Sequence, residues 1–431
     1  MVTLAELPDP IEIPQLPSGS VKQFIDYLSK HPDTPITELL KPYKAFEAEL
    51  RKIYAQQPTH ELLKDDTVNL VPLFDGNEEE LKIRARALES ESDDEKARYI
   101  MQLKEKDRKP NGAPAIVPSF KEFQQNFNLF SESSLTELDW SNVVAAGSSV
   151  TTALLPVPEK WAASKRSLRE YYHEQLAPAS DVDLFLYGLS EEQAIEKIKQ
   201  IERNIKDSIL CETTTIRTKN AITIASQYPT RHVQIVLRLY DSISQIITGF
   251  DVDCACAAYD GNQVYAAPRA VAAFVTQCNT IDLTRRSPSY ENRLSKYSRR
   301  GFEVHWPLLD RTRVDPTIFE RSFGRTQGLA RLLILEKLPK TADRDNYMDQ
   351  RRAERGRPAL YRGYRTQSKM GGNIKDQEED DVAEWVDHEE VASYHTMTVP
   401  YGKSSCITSR TDTDWLRTKV PRGEDQSSAL C

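Results

Sequence analysis

The sequence predicts an α+β fold: a mixed sheet with helices, preceded by a mainly helical region and followed by an acidic tail. Three observations carry this. Short apolar runs of strand length recur at 143–146, 182–187, 213–217, 221–226, 233–240 and 252–258. Helix-period runs alternate with them near 151–155, 160–176, 190–208 and 242–248. Turn signals join neighbouring strands, which favours a mainly antiparallel or mixed sheet.

The elements follow in order. Residues 1–20 are rich in proline and acid and read as a flexible lead. Residues 21–30 form a short amphipathic helix with Val21, Phe24, Ile25 and Leu28 on one face, and 37–56 a longer one through Leu39, Leu40, Tyr43, Phe46, Leu50 and Ile53. A third, heavily charged helical pattern spans 79–98, and 107–118 is a loop. Residues 120–129 and 134–139 lead into the motif region, and the N-terminal third reads as mostly helical. Ser190-Glu191-Glu192-Gln193 carries the acid and glutamine of a helix first turn. Thr218-Lys219-Asn220 and Tyr259-Asp260-Gly261-Asn262 read as hairpin turns. Residues 376–390 hold nine acids, and 341–431 reads as largely disordered, an acidic interaction tail with contact segments such as 383–391. The division is thus 1–130 helical, 131–340 an α/β core and 341–431 a tail.

Composition narrows the function. A net charge of −8 gives no whole-molecule reason to bind nucleic acid or an anionic membrane, so any anion site is a local basic patch. Mean hydropathy is −0.57, and no apolar run reaches 18 residues. With no leader-like start, a cytoplasmic or nuclear setting with free thiols is expected. Cys211, Cys254, Cys256, Cys278, Cys406 and Cys431 contain no C-x-x-C pair, which disfavours a zinc site. Cys254 and Cys256 read as small buried residues on one strand face.

Asp181 and Asp183 concentrate the chemistry. They flank Val182 at the start of the apolar run 182–187. Alternation along a strand puts both carboxylates on one face, where they repel unless a cation lies between them; a hard divalent ion such as Mg²⁺ suits two carboxylates. Upstream, the run 143–146 ends in Gly147-Ser148-Ser149 and enters a helix, which presents N–H groups and hydroxyls fit for phosphate. Residues 285–313 carry eight Arg or Lys against three acids. Within them, Ser287-Pro288-Ser289 opens a helix with Arg293, Lys296 and Arg300 on one face and Tyr290, Leu294 and Tyr297 on another.

Ala146-Gly147-Ser148 together with Asp181-Val182-Asp183-Leu184 resembles the nucleotidyltransferase superfamily, the polymerase-beta-like fold, over residues 140–310. The resemblance implies transfer of a nucleoside monophosphate from an NTP to an acceptor. Asp181 and Asp183 would hold Mg²⁺, Gly147, Ser148 and Ser149 the β- and γ-phosphates, and Lys296, Arg293 and Arg300 the departing pyrophosphate. Two departures stand out. The turn and the acidic pair are 34 positions apart, wider than in the family, with a helical insertion between. The family's third acid falls on the strand 231–239, where Gln234 stands; Asp253, or Asp251, is expected to supply it. The alternative is a fold kept for nucleotide binding or scaffolding without catalysis, with a protein partner on the acidic tail. Nucleic acid binding through the basic helix is not favoured, because no stacking-aromatic motif accompanies it. His232 and His305 are given no role, and Trp140 and Trp306 are read as core or rim aromatics.

Overall fold

A computed structural model describes residues 11–358, apart from 288, 321–325 and 327. The acidic run 376–390, Cys406 and Cys431 lie outside the described residues. Eleven strands form in these regions: β1 (Val71–Pro72), β2 (Tyr99–Ile100), β3 (Val143–Ala146), β4 (Val182–Tyr187), β5 (Thr213–Arg217), β6 (Ala221–Ser226), β7 (Val233–Tyr240), β8 (Ala257–Tyr259), β9 (Val264–Ala266), β10 (Cys278–Thr280) and β11 (Glu303–His305). Eight make one mixed sheet, in the order β1-β9-β8-β3-β4-β7-β6-β5; β10-β11-β2 make a smaller one.

In the large sheet every neighbouring pair is antiparallel except β4 and β7. A parallel pair needs a crossover. Helix Glu191–Ser208 and the β5–β6 hairpin provide it. That helix begins at a capping box in which Ser190 and Gln193 satisfy each other's backbone N–H groups. The strands expected at 143–146, 182–187, 213–217, 221–226 and 233–240 occur with those bounds. β3, β4 and β7 lie side by side.

At the β8–β9 turn, Gly261 has φ +94°, and a Cβ there would lie 2.5 Å from the Trp140 ring. A side chain at 261 would therefore dislodge Trp140 from Tyr259, whose ring is 4.8 Å away.

The N-terminal third is continuous with the rest of the molecule. A single apolar cluster runs from Val21 to Leu333. β1 pairs with β9, and helix Lys41–Gln56 packs on helix Pro268–Thr276. A buried charge network crosses that contact. Glu47, 2% exposed, accepts from Arg269 at 3.1 Å and lies 3.1 Å from Arg285; Asp253 is 3.4 Å from Arg269.

Five sequence expectations change. The charged pattern at 79–98 is not a continuous helix. Leu81 and Ile83, two residues apart, are both buried, and their backbones bond Ala115 and Ala113 in extended form. Alternation wins over a 3.6 period because the remaining positions have no apolar stripe. A capping box at Ser92 starts a short helix at Asp93–Ala97 instead. The run 252–258 divides into a 3-10 turn, Asp253–Ala255, and β8. Cys254 and Cys256 are both fully buried, yet they are not on one strand face. The segment 160–176 breaks into helices Glu159–Ala162 and Lys165–Glu170 and a π-helical turn, Tyr171–Leu176. Beyond 340, helix Thr341–Glu354 packs against the body through Tyr347 on Phe319 and Arg351 on Glu320 at 2.9 Å. In the lead, Ile13 and Leu16 pack against the core.

Glu47 gives a direct test of how the N-terminal helix is held. Glu47→Gln leaves Arg269 and Arg285 short of a carboxylate in the interior, and breaking such a network costs about 3 kcal/mol or more. Urea unfolding of the variant is expected to show a lower midpoint with an unchanged slope. An unaltered midpoint would mean that the helix is held by apolar packing alone.

Candidate functional site

The site forms where β3 ends and β4 begins. Gly147 leaves β3 at φ +81°, and a Cβ there would be 3.2 Å from the Phe250 ring. Its N–H donates to Ala257 O at 3.0 Å, which holds the turn to β8. Helix Ser148–Leu154 follows. The Ser148 hydroxyl is 2.6 Å from that of Ser180, the residue before Asp181, so the Gly-Ser turn and the acidic strand meet across 32 positions of chain. Ser149, also expected to contact phosphate, is 1% exposed and turned into the protein.

Along β4, Val182, Leu184 and Leu186 are buried while Asp181 and Asp183 are half-buried on the opposite face. β7 runs beside it in parallel register, so Asp183 stands next to Gln234. Gln234 Nε2 donates to Thr223 Oγ1 on β6 at 3.4 Å. The loop before β4 is fixed from below. Arg231 is 1% exposed and donates to the carbonyls of Phe130, Tyr172, Ala177 and Ser180 at 2.7–2.9 Å, with its guanidinium over the Phe130 ring. The sequence suggested Arg231 as part of a cationic field; its donors are instead spent on backbone.

The electrostatics centre on the acidic pair. Burial, and then the charge of Asp183, push the Asp181 carboxyl up to about 7; Lys296 and Arg231 oppose the rise. Burial pushes Asp183 up to about 6, again against Lys296. Lys296, on helix Tyr290–Ser298, is therefore the cation common to both. The Asp181 side chain keeps 23% exposure, so this is a cleft that excludes bulk water without sealing the carboxylates. His232 Nδ1 lies 4.0 Å from Asp181 Oδ1, and burial lowers its pKa to about 4, which disfavours a charge there.

Three other predicted residues go elsewhere or do more than expected. Arg293 is 3.1 Å from Asp251 through Nε, and both contact Ser287. That pairing anchors the basic helix to the core and keeps Arg293 off the acidic pair. Asp253 does not supply a third carboxylate: Arg269 lies 3.4 Å from one oxygen and Thr280 N–H donates to the other at 2.9 Å. Its 3-10 turn removes the alternation that would have aimed it at the cleft. Among the described residues, no group of three or more His, Cys, Asp or Glu has a metal-holding arrangement. Arg300 does reach the site, donating to Ser148 Oγ at 2.7 Å. Ser180, Thr152 and Thr223 were not singled out from sequence; Thr152 alone had a signal, its i+4 spacing from Ser148.

The β3–β4 part of this geometry falls within a stretch that has known likenesses. Residues 120–277 match the family model described as Gabija anti-defense 2 family protein. The match holds Gly147, Ser148, Asp181, Asp183 and Gln234, and ends before the basic helix. The chain is also 32% identical over 227 residues to uncharacterized protein R883 of Acanthamoeba polyphaga mimivirus, covering 49% of this chain and 46% of that protein. The chain thus spans about half the length of that curated relative. Among the described residues, no helix is long and apolar enough to cross a membrane.

The acidic pair makes stability depend on pH with a definite sign. Both folded pKa values lie above the ordinary aspartate value, so between about pH 4 and pH 7 the native state binds more protons than the unfolded chain. Metal-free protein should lose stability as pH rises through that window. Asp181→Asn should melt most like the parent at or below about pH 4 and higher than it at pH 8, by about 2 °C or more in calorimetry. Equal melting at pH 8 would show that neither burial nor Asp183 disfavours the Asp181 charge.

Proposed function

We propose that this chain binds a nucleoside triphosphate with Mg²⁺ at the β3–β4 cleft and transfers its nucleotidyl group to an acceptor, on a core of nucleotidyltransferase type. The observation that carries the reading is convergence: the Gly147–Ser148 turn, the Asp181/Asp183 pair and the cations of one helix meet at the same end of the sheet. The donor set fits a hard cation. Two half-buried carboxylates with raised pKa values are held together against their own repulsion, and a divalent ion would relieve it. Asp181 and Asp183 would hold Mg²⁺, which when bound polarises the α-phosphate and screens the triphosphate charge. Lys296 is set to neutralise the charge that develops on the leaving pyrophosphate. Ser148 orients a phosphate oxygen by hydrogen bond.

The likeness of residues 120–277 to Gabija anti-defense 2 family proteins supports placing this activity in the defeat of a defence system. The acceptor would then belong to that system.

One observation favours a second reading, nucleotide binding without transfer. Gln234 stands in register beside Asp183, where a third acid would help ligate the ion that activates the acceptor hydroxyl. Glutamine brings an oxygen without a charge, and Asp251 and Asp253 are engaged elsewhere.

Two measurements test this. Mg²⁺ with each of the four NTPs should raise the melting temperature, at 100 Kd by the equivalent of about 2.7 kcal/mol, and Asp181→Asn with Asp183→Asn should abolish the rise. Absence of any cation-dependent nucleotide effect in the parent would sink the site. Incubation with α-labelled NTPs and a broad acceptor mixture separates the readings: labelled acceptor supports transfer, and binding without label supports the second.

A further inference from the structure

The large sheet ends in two edge strands, β1 and β5, and they are finished differently. β1 is two residues long, and its second is Pro72, which has no N–H to offer a further strand. β5, Thr213–Arg217, contains no proline, lysine or bulge and pairs with β6 over its whole length. Just past its end, the Thr218 N–H donates to Ala221 O at 2.8 Å, so the backbone of Thr218 faces β6. Alternation then turns the backbone groups of Thr214 and Ile216 toward β6 and those of Thr213, Thr215 and Arg217 outward. Among the described residues no strand pairs with that outer row. The exposed Arg217 has no ion pair among them either. Leu210, just before the strand, is fully exposed.

An open row of this kind is a template for another strand. The strand is complementary to its own copy. Antiparallel pairing about a two-fold axis at Thr215 sets Thr215 against Thr215, Thr213 against Arg217 and Thr214 against Ile216, so all five residues pair and no like charges oppose each other. The Thr215 hydroxyl donates to Glu202 Oε1 at 2.5 Å. Glu202, on helix Glu191–Ser208, therefore sits on the face of β5 that also carries Thr213 and Arg217. In the two-fold pair, Arg217 of each copy is the diagonal neighbour of Thr215 in the other, which a long side chain can span to reach Glu202. We infer that β5 is a homodimer contact, joining two eight-stranded sheets edge to edge and closed by reciprocal Arg217–Glu202 ion pairs. Asp183, Gln234, Thr223 and Ile216 are in register across β4, β7, β6 and β5, so both acidic pairs stand on the same surface of the joined sheet. The contact does not depend on what the cleft binds.

The test is sedimentation of the full chain. A contact this small associates weakly, so the mass should climb from 49.2 kDa toward twice that value between about 1 and about 200 µM. Thr215→Pro removes an outward N–H and none that bonds β6. It should keep the parent's melting temperature and stay monomeric throughout. Arg217→Glu and Glu202→Arg each set like charges together across the axis, and each should weaken self-association at least about tenfold. Mixing these two variants should restore association, because in the mixed pair both contacts again join opposite charges. That restoration separates a contact between copies from a fault within one. If Thr215→Pro does not fold, the charge variants carry the test. A parent that stays monomeric at every concentration overturns the contact. So does a dimer indifferent to Thr215→Pro, or a mixture of the two charge variants that associates no more tightly than either alone.

Discussion

The repulsion between Asp181 and Asp183 is the constraint around which the cleft is arranged. A β-strand puts side chains two apart on one face, and burial raises the cost of two charges there. The fold does not separate them. It surrounds them with partial compensation: Lys296 from one side, Arg231 beneath the preceding loop, and a neutral amide rather than a third acid next to Asp183. The carboxyls remain well above their ordinary range, so the compensation is incomplete. A site left in that condition favours the neutral carboxyl, and the proposed function rests on a divalent cation relieving it instead.

The arginines divide according to what surrounds them. Arg269, Arg285, Arg86 and Arg108 sit in closed networks with carboxylates and join distant segments of chain. Arg293 pins its helix to Asp251, and through that helix fixes Lys296 and Arg300 relative to β4. The N-terminal helix takes part as well, because Glu47 neutralises Arg285 just upstream of the basic helix and Arg269 beside Asp253. This makes the N-terminal third part of the support for the cleft and gives it a physical role where the sequence offered no chemistry. Asp251 and Asp253 are explained in the same terms: they are the counter-charges of that support.

Much of this was legible in the sequence, and the reason is periodicity. β3 to β7 have apolar alternation or continuous apolar runs bounded by turn residues, and each was placed to the residue. The pairing of the Gly-Ser turn with the acidic strand followed from recognising two short motifs despite the insertion between them. The failures share a different cause. At 79–98, charge density looked helical, but two buried positions with period 2 decided the backbone. At 252–258, apolar composition could not distinguish a strand from a tight turn, and that turn carried Asp253 away from the expected place. The contacts of Ser180, Thr152 and Arg300 join segments 32 to 152 positions apart, which no local pattern encodes.

Gln234 is the residue on which the two proposed readings turn, and its surroundings show what an acid in its place would change. An acid there would lie next to Asp183 and near Asp181, a third negative charge in a cleft already short of positive charge. Without a bound cation, the added repulsion would raise all three pKa values and strain the β4–β7 edge. The amide removes that cost. It spends its N–H on Thr223 and can turn a neutral oxygen toward the pair. On the proposed reading, the cleft offers two carboxylates to one nucleotide-bound cation and no third to a second that would lower the pKa of an acceptor hydroxyl. If transfer occurs here, the acceptor must therefore bring part of the activation itself, either as a more acidic hydroxyl or as a group that contributes its own carboxylate or phosphate oxygen to the cleft.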